Sequence, residues 1–259
     1  MKESLYQVPA LERGLAVLEY LAEHPEGKTQ GELAEILKCP VASLFRMMLC
    51  LEQQKYVARD PKTKVFRLTS RMLSIGQRAV CELDLVGTAL PVMRRLRDNL
   101  QDTIVLGVLS DGEVIVIESA LGTHLFRFAV TMGHRTVPHA SAPGKAIIAF
   151  LPEPEQSRTI EGLSFKKYNR NTITSPRAFR KVLDKIRKDG YAVDQGEEYA
   201  GIYCLGAPIF DRNGFPVAAI WITGPDTRVP PSDYPRIGQA LREGALEISA
   251  RLGFTIPSS

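Results

Sequence analysis

Apolar residues at Leu11, Leu15, Leu18 and Ala22, with Val17 and Leu21 widening the stripe, recur at the spacing of an amphipathic helix. The stripe stops at His24-Pro25-Glu26-Gly27, where proline and glycine end a helix. Thr29 stands three residues before Glu32, the spacing of a capping box, and predicts a second helix of about nine residues through Leu33, Ile36 and Leu37. After the turn Lys38-Cys39-Pro40, the positions Leu44, Met48 and Leu51 predict a third helix to about Gln54. Two strand-like pieces, Tyr56–Arg59 and Val65–Leu68, flank Asp60-Pro61-Lys62-Thr63-Lys64 and predict a hairpin.

Farther along, 71–81 and 85–99 carry helical periodicity, the first as a linker helix. Beyond Thr103 the pattern changes. Apolar runs at Thr103–Leu109 and Glu113–Ile117 flank Asp111-Gly112, and those at Ile202–Phe210 and Val217–Thr223 flank Asn213-Gly214, which predicts two antiparallel hairpins. A further strand is expected over Leu125–Val130, and helices over Gly144–Leu151, Pro176–Lys188 and Tyr234–Leu252, the last capped by Ser232-Asp233. Strands and helices segregated in this way make an α+β fold. The chain divides into residues 1–70, a linker at 71–83, and residues 84–259.

With 259 residues, 44% hydrophobic and 24% charged, the chain has material for two packed cores. Its longest apolar stretches, Ala146–Leu151 and Ala207–Phe210, fall far short of the roughly 18 residues of a membrane span. The N-terminus opens on Met1-Lys2-Glu3-Ser4 without an apolar leader, so a cytoplasmic protein is expected. Cys39, Cys50, Cys81 and Cys204 show neither C-x-x-C pairing nor nearby ligand histidines, which predicts reduced packing residues rather than a zinc module.

Charge adds more. Residues 1–37 carry three cations against seven acids, and residues 38–71 carry eight cations against two acids. A basic block running from the turn before the third helix through the hairpin follows an acidic one and points one face at phosphates, in the geometry where the later helix of a helix-turn-helix enters a major groove. On that helix the stripe Leu44, Met48, Leu51 faces inward, so the opposite face presents Ala42, Ser43, Arg46 and, more obliquely, Phe45 and Leu49, with Ala42, Ser43, Phe45 and Arg46 the candidates for DNA. Arg46 suits a guanine or a phosphate, Ser43 a phosphate or a base, and Ala42 a thymine methyl. Lys62, Lys64 and Arg67 on the hairpin suit the phosphate backbone.

Leu33 to Tyr56, with Ala34, Ser43-Leu44, Arg46, Leu51 and Tyr56-Val57, resembles the winged helix of IclR regulators. Four later runs resemble that family's sensor signatures in order: His139-Ala-Ser-Ala-Pro-Gly-Lys-Ala146, Gly190-Tyr-Ala-Val-Asp194 with Glu197 and Glu198, Gly201-Ile-Tyr-Cys-Leu-Gly-Ala-Pro208, and Val217-Ala-Ala-Ile-Trp-Ile-Thr-Gly-Pro225. The resemblance spans Ala10 to Phe254. It implies a winged helix-turn-helix followed by a GAF-like α/β effector domain with an antiparallel sheet. It also implies a regulator, a repressor or an activator, that binds double-stranded operator DNA as a homodimer or dimer of dimers. The effector expected is a small organic acid, the target a small operon for uptake or catabolism of an organic or sugar acid, and no cofactor is called for.

Carried over from the family, the effector pocket would be lined by Leu125, Ala142, Pro143, Asp194, Ile202, Cys204, Trp221 and Thr223. Trp221 stands where a small serine is frequent, so it either shrinks the pocket, offers a flat face and an indole donor, or packs as a core residue. Arg127 either pairs a ligand carboxylate from its strand or points to solvent. Val41-Ala42-Ser43 replaces the Lys-Ser-Thr triplet frequent in the family, which removes one phosphate contact. Ser141-Ala-Pro-Gly-Lys145 lacks the first glycine and the final Ser or Thr of a phosphate loop. Ser141 with His139 and Asp194 suggests a hydrolase triad but lacks the nucleophile elbow. His124, His134, His139 and Asp194 lack metal-ligand spacing.

Overall fold

The first helix, α1 (Pro9–Glu23), buries Val17 and Leu21 and starts with proline in its first turn, where a missing N–H leaves no helical bond unmade. The computed structural model describes residues 8–80 and 85–255. A two-residue strand, β1 (Lys28–Thr29), leads into α2 (Gln30–Ile36). The capping box at its start is formed: Thr29 N–H donates to Glu32 Oε2 at 2.7 Å and Glu32 N–H to Thr29 Oγ1 at 3.4 Å. Leu37 already caps this helix, so α2 ends one residue earlier than its apolar spacing suggests.

Next comes α3 (Val41–Gln53), which buries Leu44 and Met48. The strands β2 (Val57–Arg59) and β3 (Val65–Leu68) close the hairpin, whose turn is held by Asp60 Oδ1 accepting the N–H groups of Lys62 and Thr63, both at 2.8 Å. One pairing was not visible in the pattern: β1 joins β3, giving a three-stranded sheet in the order β1-β3-β2. Gly27 makes it possible, because its φ is +75° and a Cβ there would overlap the carbonyl oxygen of Phe66. Val17, Leu21, Leu33, Leu44, Met48, Val57 and Phe66 form the core of this part. The helix α4 (Ser70–Val80) takes the place expected for the linker, and Cys81 lies outside the described residues.

By internal contacts the chain forms two units, Met1–Glu82 and Leu83–Ser259. In the second, α5 (Leu85–Leu100) precedes β4 (Thr103–Ser110) and β5 (Glu113–Ala120), joined by the expected turn with Asp111 at φ 51° and Gly112 at φ 80°. Then come β6 (Arg135–Thr136), α6 (Ala142–Phe150), α7 (Glu155–Gly162) and α8 (Pro176–Asp189). The chain finishes with β7 (Ala192–Gln195), β8 (Ile202–Phe210), β9 (Pro216–Pro225) and α9 (Tyr234–Arg251). The six strands make one antiparallel sheet in the order β6-β5-β4-β9-β8-β7.

Alternation along the central strands sorts the two faces. Ile220 and Ile222 join Leu205 and Ala207 against Val92, Leu96, Leu241 and Ile248 of α5 and α9. Ala219 turns the other way, toward Ala146, Phe179 and Leu183 of α6 and α8. Trp221 shares that second face with Val105, Val114 and Val116.

Two expectations fail. No strand forms over Leu125–Val130: its carbonyls are taken by side chains, Phe128 O by Thr103 Oγ1 at 2.6 Å and Phe126 O by Arg228 Nη2 at 2.8 Å, so the segment is an irregular loop. Nor does Asp233 cap α9 with its side chain; a short 3-10 turn, Pro231–Asp233, leads into the helix, and Asp233 pairs with Arg236 at 3.7 Å.

Candidate functional site

The N-terminal unit exposes cations on α3 and on the hairpin of β2 and β3, its wing. Along α3, Ala42, Phe45 and Arg46 are exposed and Ser43 is half-buried, the side opposite Leu44 and Met48. Lys62, Lys64 and Arg67 are exposed on the wing. None of these four cations has an acidic partner: among the described residues the single ion pair of this unit is Lys28–Glu26, at 3.6 Å. Lys64 Nζ instead donates to the Pro61 carbonyl at 2.7 Å. Val41 and Leu49 are also exposed beside Phe45, so the face combines free positive charge with apolar area suited to thymine methyl groups.

The second unit holds a cavity of about 140 Å3 on the sheet face away from α5 and α9. Its floor follows from strand register. Asp194 of β7 pairs with Cys204 of β8, which pairs with Thr223 of β9, so three polar side chains form a row across three strands. Cys204 Sγ lies 3.4 Å from Thr223 Oγ1. Trp221 sits two positions along β9, opposite Gly206. Its indole fits because Gly107 has no side chain: a Cβ there would stand 2.9 Å from Trp221 Cη2. Trp221 therefore both packs in the core and walls the cavity.

Of the residues expected here, Pro143, Asp194, Ile202, Cys204, Trp221 and Thr223 line the cavity. Ala142 is buried at the first position of α6 beside Pro143, just behind the lining. Leu125 and Arg127 are placed elsewhere. Leu125 is 91% exposed, and Arg127 is exposed with Nη1 turned to the His124 carbonyl at 3.5 Å, because their segment is the irregular loop rather than a strand facing inward. From that loop Phe128 and Val130 supply the wall instead. His134, Thr136, Ser141, Glu198 and Tyr199, none of them foreseen, complete it.

Two of these carry the chemistry. Ser141 Oγ and Thr136 Oγ1 are buried without any hydrogen-bond partner. Buried hydroxyls are normally paired, so each is a donor and acceptor left free for a ligand. Asp194 lines the same cavity, with Oδ1 accepting the Glu197 N–H at 2.8 Å. Burial pushes its carboxyl up to about 6, with Glu197 raising it further and the Lys145 ammonium working against both. Burial and the neighbouring Asp194 charge likewise raise the Glu198 carboxyl. Among the described residues no Lys or Arg lines the cavity.

Ser141 and His139 do not form a nucleophile and base. His139 Nε2 lies 2.9 Å from the Lys166 carbonyl, and Ser141 Oγ has no partner. No group of three or more His, Cys, Asp or Glu is arranged to hold a metal among the described residues. No helix there is long and apolar enough to cross a membrane.

A winged helix with unpaired cations, in one chain with an α+β unit holding a small, largely apolar cavity crossed by a row of polar side chains, defines a ligand-sensing DNA-binding regulator and not an enzyme. The chain belongs to the IclR family of bacterial transcriptional regulators: the IclR helix-turn-helix domain matches residues 10–61, and the bacterial transcriptional regulator IclR C-terminal domain matches residues 77–250. It is 30% identical to the transcriptional repressor IclR of Escherichia coli over 249 residues, which is 95% of this chain and 91% of that one. It is also 30% identical to the repressor AllR of Klebsiella pneumoniae over 244 residues, 94% and 90% of the two chains. The crystal structure of Thermotoga maritima IclR superposes with a TM-score of 0.78 at 30% identity, covering 94% of this chain and 98% of that one.

Proposed function

We propose that this protein is a cytoplasmic repressor of a small operon for uptake or catabolism of an organic or sugar acid, released from its operator by a small hydroxy acid. The observation that carries the effector half is the pair of buried, unpartnered hydroxyls, Ser141 Oγ and Thr136 Oγ1. They and the backbone N–H groups opening α6 suit the ligand's carboxylate, since unpaired donors and the helix dipole both favour negative charge. Asp194 and Glu198 would repel a second carboxylate and accept hydrogen bonds from a hydroxyl at the ligand's other end. The small volume restricts the effector to a few heavy atoms or one ring against Trp221. That both of these relatives are repressors supports the sign of the response.

The DNA half rests on Ala42, Ser43, Phe45 and Arg46 at base edges and Lys62, Lys64 and Arg67 on phosphates. A homodimer, alone or paired into a dimer of dimers, would place two α3 helices in successive major grooves. Supporting it, Leu11 and Leu15 of α1 and Val8 just before the helix are exposed, an apolar strip that a second copy would cover. The test is calorimetric titration of hydroxy acids and matched dicarboxylates into the protein, with and without its own promoter DNA. Hydroxy acids should bind and weaken DNA binding by about 1 to 3 kcal/mol, the usual coupling in such systems. Tighter binding by the dicarboxylates would refute the assignment of the Asp194 end.

A further inference from the structure

A second cavity of about 510 Å3 lies in the sensor unit between α8, the open edge of β7 and the start of α9. Its floor is an ion pair taken out of water. Lys145 is fully buried and Glu197 is 8% exposed. The Lys145 ammonium donates to the Val193 carbonyl at 2.7 Å and pairs with Glu197 Oε1, while Glu197 Oε2 has no hydrogen-bond partner. A buried carboxylate oxygen without a donor is expensive, and such atoms are rare in folded proteins. Val182 and Ile186 give the cavity apolar walls, and the Tyr191 and Tyr234 rings flat ones.

Charge narrows what fits. Lys145 and Lys185 are balanced by Glu197 and Asp189, so an ion entering the cavity would lose its hydration without a net field to replace it. A neutral donor supplies the missing bond and buries no new charge. We infer that this cavity is a second small-molecule site, for a neutral, ring-sized molecule whose single hydroxyl or N–H donates to Glu197 Oε2. The site stands apart from the effector cavity and does not depend on what fills that one. The two are joined through one turn, because the Glu197 N–H that neighbours this floor is the donor to Asp194. A ligand at either end biases the other, and by the same factor in both directions.

Benzyl alcohol titrated into the full chain, followed by NMR, tests the inference. Saturable binding of one molecule per chain is expected, with cross-relaxation from its ring to Tyr191 and Tyr234. Benzoate and benzylammonium should bind at least about tenfold more weakly, a difference of about 1.4 kcal/mol. Val182→Trp, which fills the cavity and leaves the ion pair alone, should weaken benzyl alcohol by a similar factor. If that variant does not fold, the contacts seen in the unaltered protein decide. No saturable binding, contacts to Trp221 in place of the two tyrosines, or equal binding by benzoate would each overturn it.

Discussion

Oδ1 of Asp194 accepts the backbone N–H of Glu197 at 2.8 Å, and the carboxyl that makes this bond is pushed by burial from 3.8 up to about 6. The folded chain thus holds this proton more tightly than the unfolded chain does. The stability it contributes is complete below about pH 4 and is lost as the pH rises through about 6. Asp194→Asn keeps the acceptor oxygen and removes the titration. The variant should therefore gain on the unaltered protein between pH 4 and 7, by on the order of 3 kcal/mol. Urea denaturation at the two pH values measures the difference; a constant gap would reject burial as the cause.

Ser141→Ala separates a binding role from a structural one. The Ser141 hydroxyl has no partner to lose, so the variant should be as stable as the unaltered protein or slightly more so. Effector affinity should fall by about 1 kcal/mol, the net value of one hydrogen bond. Thermal melts and calorimetry on the same sample check both, and a destabilised variant with normal effector affinity would reverse the assignment.

Much of this arrangement was legible in the sequence, for identifiable reasons. The helical stripes of α1 and α3, the Thr29–Glu32 box and the Asp111-Gly112 turn are local signals, settled by residues within a few positions of one another. Trp221 and Thr223 were expected in the pocket from the family resemblance, and they stand two positions apart on β9. What the pattern hid depends on partners far along the chain. The loop around Leu125 was expected as a strand, and its carbonyls go to Thr103 and to Arg228, 25 and 102 residues away from the carbonyls they bind. Nothing local to Ser141 or Thr136 tells that their hydroxyls lose their partners on folding. The strand β1 is two residues long, and its pairing hangs on how closely Gly27 approaches Phe66.

Trp221→Ser should enlarge the effector cavity and leave the α3 face unaltered, since Trp221 packs only within the sensor core. Removing so large a buried side chain should lower stability by about 3 to 5 kcal/mol. Bulkier acids should then bind better than the native effector, with operator affinity unchanged in the absence of ligand. Competition between acids of increasing size, read by calorimetry, checks this; an unchanged ranking would show that the indole does not set the cavity's size.

The recognition face predicts two kinds of loss. Arg46→Ala should weaken specific binding by about 1 to 3 kcal/mol and relax preference at one base pair if the residue reads a base. Lys62→Ala should weaken all sequences alike and reduce the slope of log affinity against log salt by about one. Gel-shift titrations over a salt series on promoter and random duplex distinguish the two. Equal losses on both duplexes for Arg46→Ala would move that residue to the phosphate backbone.

Among the described residues, Lys145 and Glu197 form the one ion pair whose two members are both at most a tenth exposed, and neither can be removed alone without stranding a charge. Lys145→Met leaves the Glu197 carboxylate buried without its cation, and should lower stability by about 3 to 5 kcal/mol. Lys145→Met with Glu197→Leu removes both charges and restores most of that loss, because a well-packed apolar pair matches a buried ion pair in stability. Urea denaturation of the two single variants and the double variant closes the cycle. Since the pair holds α6, which carries Pro143, against the turn after β7, which carries Asp194, the double variant should regain stability and still bind effector weakly. Full effector affinity in the double variant would show that the pair serves folding alone.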